Sequence, residues 1–260
     1  MTSSEAAGAM APAAIRSCAP GLSVSRIFSM KLAFWARRAH RWIALIVGVQ
    51  ALLWTLSGLY MTAISIDLIH GDHLAHVAAE PLREPAVQVD AGTLSERYPH
   101  STGFKLKQLM GQAVYELRQG GKTVLVDAST GAELPALGEQ QVRQLASSLY
   151  RGDGAIQSVH LLEKVPSEVA KRPVPMWQAN FSDRGHTTLY LSATTGELLA
   201  RRHDFWRLYD FLWMFHIMDY ETRSNVNNGL MRVAASIGLL FALSGIWLLV
   251  HSFRKRKATT

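Results

Sequence analysis

Two uninterrupted apolar runs constrain this chain more than any other feature. WIALIVGVQALLWTLSGLYMTAISI, residues 42–66, carries no charge, and LMRVAASIGLLFALSGIWLLV, residues 230–250, carries only Arg232 near its start. A membrane-crossing helix needs about 20 mostly apolar residues, so each run is long enough to span a bilayer once. The composition agrees: 48% hydrophobic and 18% charged residues are too apolar for an ordinary soluble domain and too polar for a multi-span transporter. A soluble domain between two spans fits both figures.

Basic residues set the orientation. Arg16, Arg26, Lys31, Arg37, Arg38 and Arg41 precede the first run against Glu5 alone, and Arg254, Lys255, Arg256 and Lys257 follow the second. The whole chain is only +7, so the middle is net acidic. Positive flanks stay on the cytoplasmic side. The expectation is a two-pass protein of the bacterial inner membrane, with both termini cytoplasmic and the central domain periplasmic. The basic ends then read as topology signals and as contacts for anionic lipid, and they give no sign of nucleic-acid binding. The first run is too long for a signal peptide and lacks a small-residue cleavage site, so it reads as an uncleaved anchor. Residues 1–41 form a cytoplasmic basic leader. Residues 1–29 of it, rich in Ala, Ser, Pro and Gly, are expected to be disordered, and Met30 opens MKLAFWARRAHRW, a more typical cytoplasmic start. The lone Cys18 excludes a disulfide framework and a cysteine metal site.

Between the runs the sequence repeats. KTVLVDASTGAEL, residues 122–134, and HTTLYLSATTGELL, residues 186–199, each read as a strand, a turn ending in Thr-Gly, and an acid followed by Leu or separated from it by little. Helix candidates DAGTLSERYP and GEQQVRQLASSLY precede alternating strands around FKLKQLM and AVYELRQ in one half, and AIQSVHLLEK and VPMWQANFSD in the other. Tight turns are expected at Gln119-Gly120-Gly121 and Asp183-Arg184-Gly185. The fold class is an α+β domain of two helix plus three-strand antiparallel units, at 85–134 and 135–204, packed together and held between transmembrane helices at 42–66 and 229–251. A His-rich juxtamembrane segment covers 67–84, an aromatic interfacial helix and linker cover 205–228, and a basic tail covers 252–260.

A strand running into VDASTGAEL after a helix and two strands, repeated as LSATTGELL with Ser192 in place of the acid, resembles the PepSY domain. The HRWIALIVG opening of the first span and the LSG near its end resemble the PepSY-associated transmembrane proteins. That resemblance, over roughly residues 35–252, implies kinship with iron-regulated membrane proteins and haem-containing siderophore reductases. Those reductases have about four spans where this chain has two. For isolated PepSY domains it implies binding or inhibition of peptidases.

The histidines gather at the membrane edges. His40 stands at the inner mouth of span one, on the face of the small residues Gly48, Ala51, Thr55, Gly58 and Thr62, and His251 ends span two on the same side. At about 1.5 Å per residue they lie about 20 Å and about 16 Å from the middles of their spans. Matched depth makes them candidate axial ligands of a haem b; the other reading is a pair of headgroup-level anchors. Outside, HGDHLAH places His70, His73 and His76 at steps of three, along one face if span one continues as helix. FLWMFHIMDY, residues 211–220, brings His216 to the outer edge, with Asp219 as a candidate partner for one ring nitrogen. His216 with one of the three is the candidate outer haem pair, and the three together are an alternative metal site. His100, His160, His186 and His203 are expected on the domain surface.

Two functions follow. The first is haem-binding electron transfer to a periplasmic acceptor such as a ferric complex, in a homodimer or with a membrane redox partner, as a component of a ferric or siderophore reductase system. The alternative is a membrane-tethered PepSY module, without a redox centre, that binds or regulates a periplasmic protein or peptidase. The sequence contains no phosphate-cradling Gly loop, H-E-x-x-H or G-x-S-x-G.

Overall fold

The structure, a computed structural model, describes residues 24–77 and 88–256, with side chains from residue 38 (residue 39 apart) through 77 and from 88 through 247. The chain divides into two compact units, residues 1–50 with 241–260, and residues 51–240. A long helix α1, Val24–Ala63, contributes to both, as does the last helix. Its part His40–Ala63 is long and apolar enough to cross a membrane, as is Gly229–Trp247. Ile46 and Leu240 are each 68% exposed, which no aqueous surface rewards for consecutive aliphatic side chains; a lipid environment does. The helix begins at Val24, inside the stretch expected to be disordered. Residues 1–23, with Cys18, lie outside the described residues.

Span one ends at Ala63, three residues before the apolar run does. Ser65 leaves the helical region with ψ 137° and starts a new short helix, α2, Ile66–His70, with Asp67 in its first turn. Gly71, at φ 71°, ends α2 in the left-handed conformation. Part of the His-rich segment, 78–84, lies outside the described residues.

Helix α3, Ala91–Arg97, is capped by Asp90, whose carboxylate accepts the Thr93 N–H at 2.8 Å. It is followed by strands β1, Ser101–Leu109, β2, Gln112–Gln119, and β3, Lys122–Asp127, in an antiparallel sheet of that order. Both hairpins use two-residue turns with both φ values positive, Met110-Gly111 and Gly120-Gly121. Helix α4, Glu139–Leu149, precedes a second meander of β4, Ile156–Leu162, β5, Met176–Phe181, β6, Thr188–Ser192, and β7, Leu198–Arg202. The second sheet thus has a fourth strand that the three-strand expectation lacks. Its counterpart in the first sheet is a single bridge between Val126 and Glu133. Helix α5, Asp204–Ile217, and α6, Gly229–Arg256, complete the chain.

The two Thr-Gly turns share a bonding pattern. The Gly131 N–H reaches Asp127 O and the Gly196 N–H reaches Ser192 O, at 2.9 and 3.0 Å. Asp127 accepts from the N–H and hydroxyl of Ser129, and its carboxyl is held below the usual range chiefly by that hydroxyl. Ser192 Oγ accepts the Thr195 N–H at 3.1 Å. A serine therefore does at the second turn what the acid does at the first.

Each sheet buries its own core. Leu94, Tyr115, Leu117 and Val126 pack between α3 and the first sheet; Val142, Ala146, Trp177, Leu189 and Leu191 pack between α4 and the second. The two units pack together as expected, at a seam where Leu109 joins the second cluster and the Lys107 ammonium, paired with Glu116 at 2.7 Å, donates to Thr195 O at 3.0 Å.

Candidate functional site

Two places in the unit formed by residues 51–240 concentrate chemistry: the contact of α5 with the end of span one, and a groove along the seam between the sheets.

Helix α5 is tied to span one at both ends. The Tyr60 hydroxyl donates to Phe205 O at 3.1 Å, and His216 Nδ1 lies 2.9 Å from Ser57 Oγ. Ser57 is buried, and its hydroxyl proton has two carbonyls of its own helix in reach, Leu53 O at 2.8 Å and Trp54 O at 3.1 Å. With that proton given to a carbonyl, the Ser57 oxygen can accept from an Nδ1–H tautomer of the imidazole, in which Nε2 carries the lone pair and has no hydrogen-bond partner among the described residues. Gly58 lies against the ring: a Cβ there would stand in ordinary contact, 3.7 Å from His216 Cε1. The LSG sequence thus seats a side chain of α5. Phe205, Leu208 and Phe211, at steps of three on α5, remain exposed, as an interfacial helix requires.

Asp219 does not hold the ring of His216. Its carboxylate accepts the Thr222 hydroxyl and the N–H groups of Glu221, Thr222, Ser224 and Asn225, which folds the linker into a turn before α6. Those bonds, the Thr222 hydroxyl first, hold its pKa well below the ordinary carboxylate value. Ser57 takes the role expected of Asp219. The cue for it was the small Ser-Gly pair, which by itself signals close approach and no particular partner.

The three outer histidines diverge because α2 stops at His70 and Gly71 reverses the chain. His73 meets the His203 ring edge-on at 6.0 Å, and the His76 N–H bonds Leu149 O at 3.1 Å. His203 caps the start of α5 and His216 stands near its end, a separation of about 20 Å at helical rise. His216 therefore has none of His70, His73 or His76 as an opposite ligand within one chain. Among the described residues no group of three ligating side chains converges for a metal.

His203 also departs from its expected surface position. It is 2% exposed, and its Nε2–H donates to Ile69 O at 3.0 Å. Burial, partly offset by that bond, lowers its pKa. His186 is exposed as expected and donates from Nδ1 to Asp204 at 2.7 Å.

In the other unit, the His40 ring stacks on Phe241 at 5.0 Å. His251 is ten residues further along α6, about 15 Å by helical rise. The expected pairing of His40 with His251 falls on a side chain that lies outside the described residues.

The groove at the seam has a volume of about 750 Å³. Five consecutive residues of β1, Lys105 to Leu109, and the turn residue Met110 border it. Side chains of a strand alternate between faces, so consecutive residues border one cavity only when the cavity runs along the strand edge. Leu109 lies opposite Gln112 across the two-residue turn. That pair is hydrogen-bonded, and every second residue after it, so the main-chain groups of Leu106 and Gln108 face the open edge. The side-chain oxygen of Gln108 is buried without a partner. Across the groove stand Leu145 and Leu149 of α4 and Glu197 and Leu198 at the start of β7; Arg151 adds a cation with no carboxylate partner among the described residues.

An α+β domain of two antiparallel sheets, carried on two helices whose exposed aliphatic surfaces suit lipid, defines a membrane protein with an aqueous module. A family model described as the PepSY-associated TM region matches residues 37–260, and the chain belongs to that family. Neither the search of curated proteins nor that of solved structures gives a match.

Proposed function

We propose that this protein is a membrane-tethered PepSY module, facing the periplasm from the bacterial inner membrane, that holds an extended segment of a protein or peptide along the open edge of β1. The observation that carries this reading is the run of five consecutive β1 residues, Lys105 to Leu109, bordering the groove. An unpaired strand edge offers main-chain donors and acceptors to an incoming strand, and flanking pockets read its alternate side chains. Leu106 and Gln108 supply the main-chain groups, and Lys105 and Arg151 favour an acidic residue on the ligand. A peptidase substrate strand or a peptidase edge has the required extended form.

The test is Leu106→Pro. Proline removes the open-edge N–H and leaves the bonds to β2 in place. Fluorescence polarisation with a panel of extended acidic hexapeptides should show binding to the full chain that is lost in Leu106→Pro and kept in Leu161→Ala, an exposed site outside the groove. Equal binding by wild type and Leu106→Pro would sink the proposal.

A second reading rests on Nε2 of His216. In its Nδ1–H tautomer, the imidazole would present Nε2 at the membrane edge as the kind of donor atom that a haem b iron takes, and haem would supply one-electron chemistry toward a ferric complex or another acceptor. Among the described residues no histidine stands opposite His216, so this reading calls for a second copy or a membrane redox partner. His40 and His251 enter it on the same condition. Reduced-minus-oxidised spectra of protein purified in mild detergent from haem-replete cells test it. A Soret and α-band that His216→Ala abolishes would support it, and a spectrum without bands overturns it.

A further inference from the structure

A second cavity, of about 390 Å³, adjoins the groove at Val77 and Leu198 and is distinct from it in chemistry. Its walls include the guanidinium-bearing residues Arg172, Arg201 and Arg202, together with His70 and Trp206, and no carboxylate side chain lines it among the described residues. The cations are unevenly satisfied. Arg201 pairs with Asp72 and donates to Ala75 O. Arg202 lies 3.7 Å from the centre of the Trp206 ring and donates from Nε to Glu168 O and from Nη1 to Arg201 O, which leaves Nη2 without a partner among the described residues. Glu168, the nearest acid to Arg202, accepts from Tyr190 and pairs with Arg207 at 3.2 Å. Arg172 is exposed and has no side-chain partner among the described residues.

Position narrows the choice of anion. Trp206 follows Phe205, whose carbonyl receives the Tyr60 hydroxyl, and Tyr60 lies in the last turn of the span His40–Ala63. His70 ends the short helix that directly follows that span. The cavity therefore opens within a few residues of the point where the chain leaves the bilayer, where phosphate esters of lipid are the most concentrated anions. Arginine forks match phosphate oxygens in a bidentate geometry, and indole and guanidinium groups both favour the headgroup level.

We propose that this cavity binds the phosphate of an anionic phospholipid head group, with Arg172 and Nη2 of Arg202 as its donors and Trp206 holding the Arg202 plane in place. Burial pushes the Arg202 guanidinium down to about 10, with Glu168 opposing and Arg172 adding to the shift; an arriving oxyanion relieves that strain on the charged form.

Native mass spectrometry of the full chain in a neutral detergent tests this, with short-chain phosphatidylglycerol, short-chain phosphatidylcholine and inorganic phosphate as probes. Wild type should bind phosphatidylglycerol about fivefold or more tighter than phosphatidylcholine. Arg172→Glu should erase that preference and Arg172→Lys should keep part of it. Arg172 makes no contact that the fold needs, so these variants report on the ligand even if Arg202 substitutions unfold the domain. Equal preference in wild type and Arg172→Glu overturns the site. Displacement of the lipid by millimolar inorganic phosphate, with the same dependence on Arg172, overturns the lipid as source and assigns the site to a soluble phosphate. The result is independent of peptide capture at β1, because Arg172 lies outside that groove and Leu106 outside this cavity.

Discussion

His216 and Ser57 show how one hydrogen bond can reassign a residue. The sequence marked His216 as unusual in its apolar surroundings and looked to Asp219, three residues on, for its partner. Asp219 is instead consumed by a local turn, because an aspartate followed by Thr222, Ser224 and Asn225 finds backbone N–H groups closer than any ring. The real partner comes from 159 residues away, a separation that no local pattern encodes. Gly58 should therefore tolerate alanine, whose Cβ stands 3.7 Å from the ring, while Gly58→Leu should push α5 off span one. Protease accessibility of the 218–228 linker in detergent should rise for leucine and stay level for alanine. Ser57→Ala should cost about 0.6 kcal/mol, the usual worth of an interhelical polar contact in a membrane protein. His203 gives a pH effect with a definite sign. Its folded pKa is lowered by burial, so its contribution is complete above the unfolded value of about 6.5 and declines as pH falls below it. His73 and Arg207 face it and work in the same direction. The difference in melting temperature between wild type and His203→Gln should shrink from pH 7.5 to pH 5.5; a constant difference would refute the assignment.

Elements were the most legible level. Helices at 91–97 and 139–149 and the strands around FKLKQLM, AVYELRQ, KTVLVD and HTTLYLS follow from alternation and turn chemistry, and they stand where these predict. Two features escaped. Strand β7 was hidden because LLARR is short, with no apolar–polar alternation to read. The break before α2 was hidden because Ile64, Ser65 and Ile66 prolong an apolar run whose hydropathy does not register a change in ψ. The Thr-Gly turn of the second sheet carries a prediction at this scale. Gly196 has φ +67°, and a Cβ there would come within 2.9 Å of Leu109, 3.0 Å of Leu145 and 3.1 Å of Leu137. Gly196→Ala should cost about 1–2 kcal/mol from the left-handed backbone alone, and the methyl group presses on Leu109 where the two sheets meet. Urea melts of the full chain in detergent should show the loss, and Gly103→Ala, at a position where a Cβ meets nothing within 4 Å, should show little.

For the whole molecule, charge and hydropathy speak more directly than packing. The two spans were readable because lipid imposes a length and forbids charge over it, a constraint on composition alone. How far the domain stays open was not readable: two separate cores with a groove between them depend on which side chains meet at the seam, and Leu109, Lys107 and Thr195 are ordinary strand and turn residues in the sequence. The distribution of Lys and Arg leads to a last prediction. Residues 37, 38 and 41 flank one span and 254–257 the other, with basic side chains at each, so both ends should be retained in the cytoplasm and the domain exported. Alkaline phosphatase, which folds only after export, should be active when fused within the 218–228 linker and inactive when fused after Thr260. A fluorescent protein that matures only in the cytoplasm should give the opposite pattern. Replacing Arg254, Lys255, Arg256 and Lys257 by neutral residues should weaken retention of the C-terminal fusion more than replacing Arg232, because the tail holds four charges beyond the span and Arg232 lies within the first turn of α6. Active phosphatase at the C-terminus of the unaltered chain would reverse the orientation, and would place the β1 groove and the arginine cavity on the cytoplasmic side.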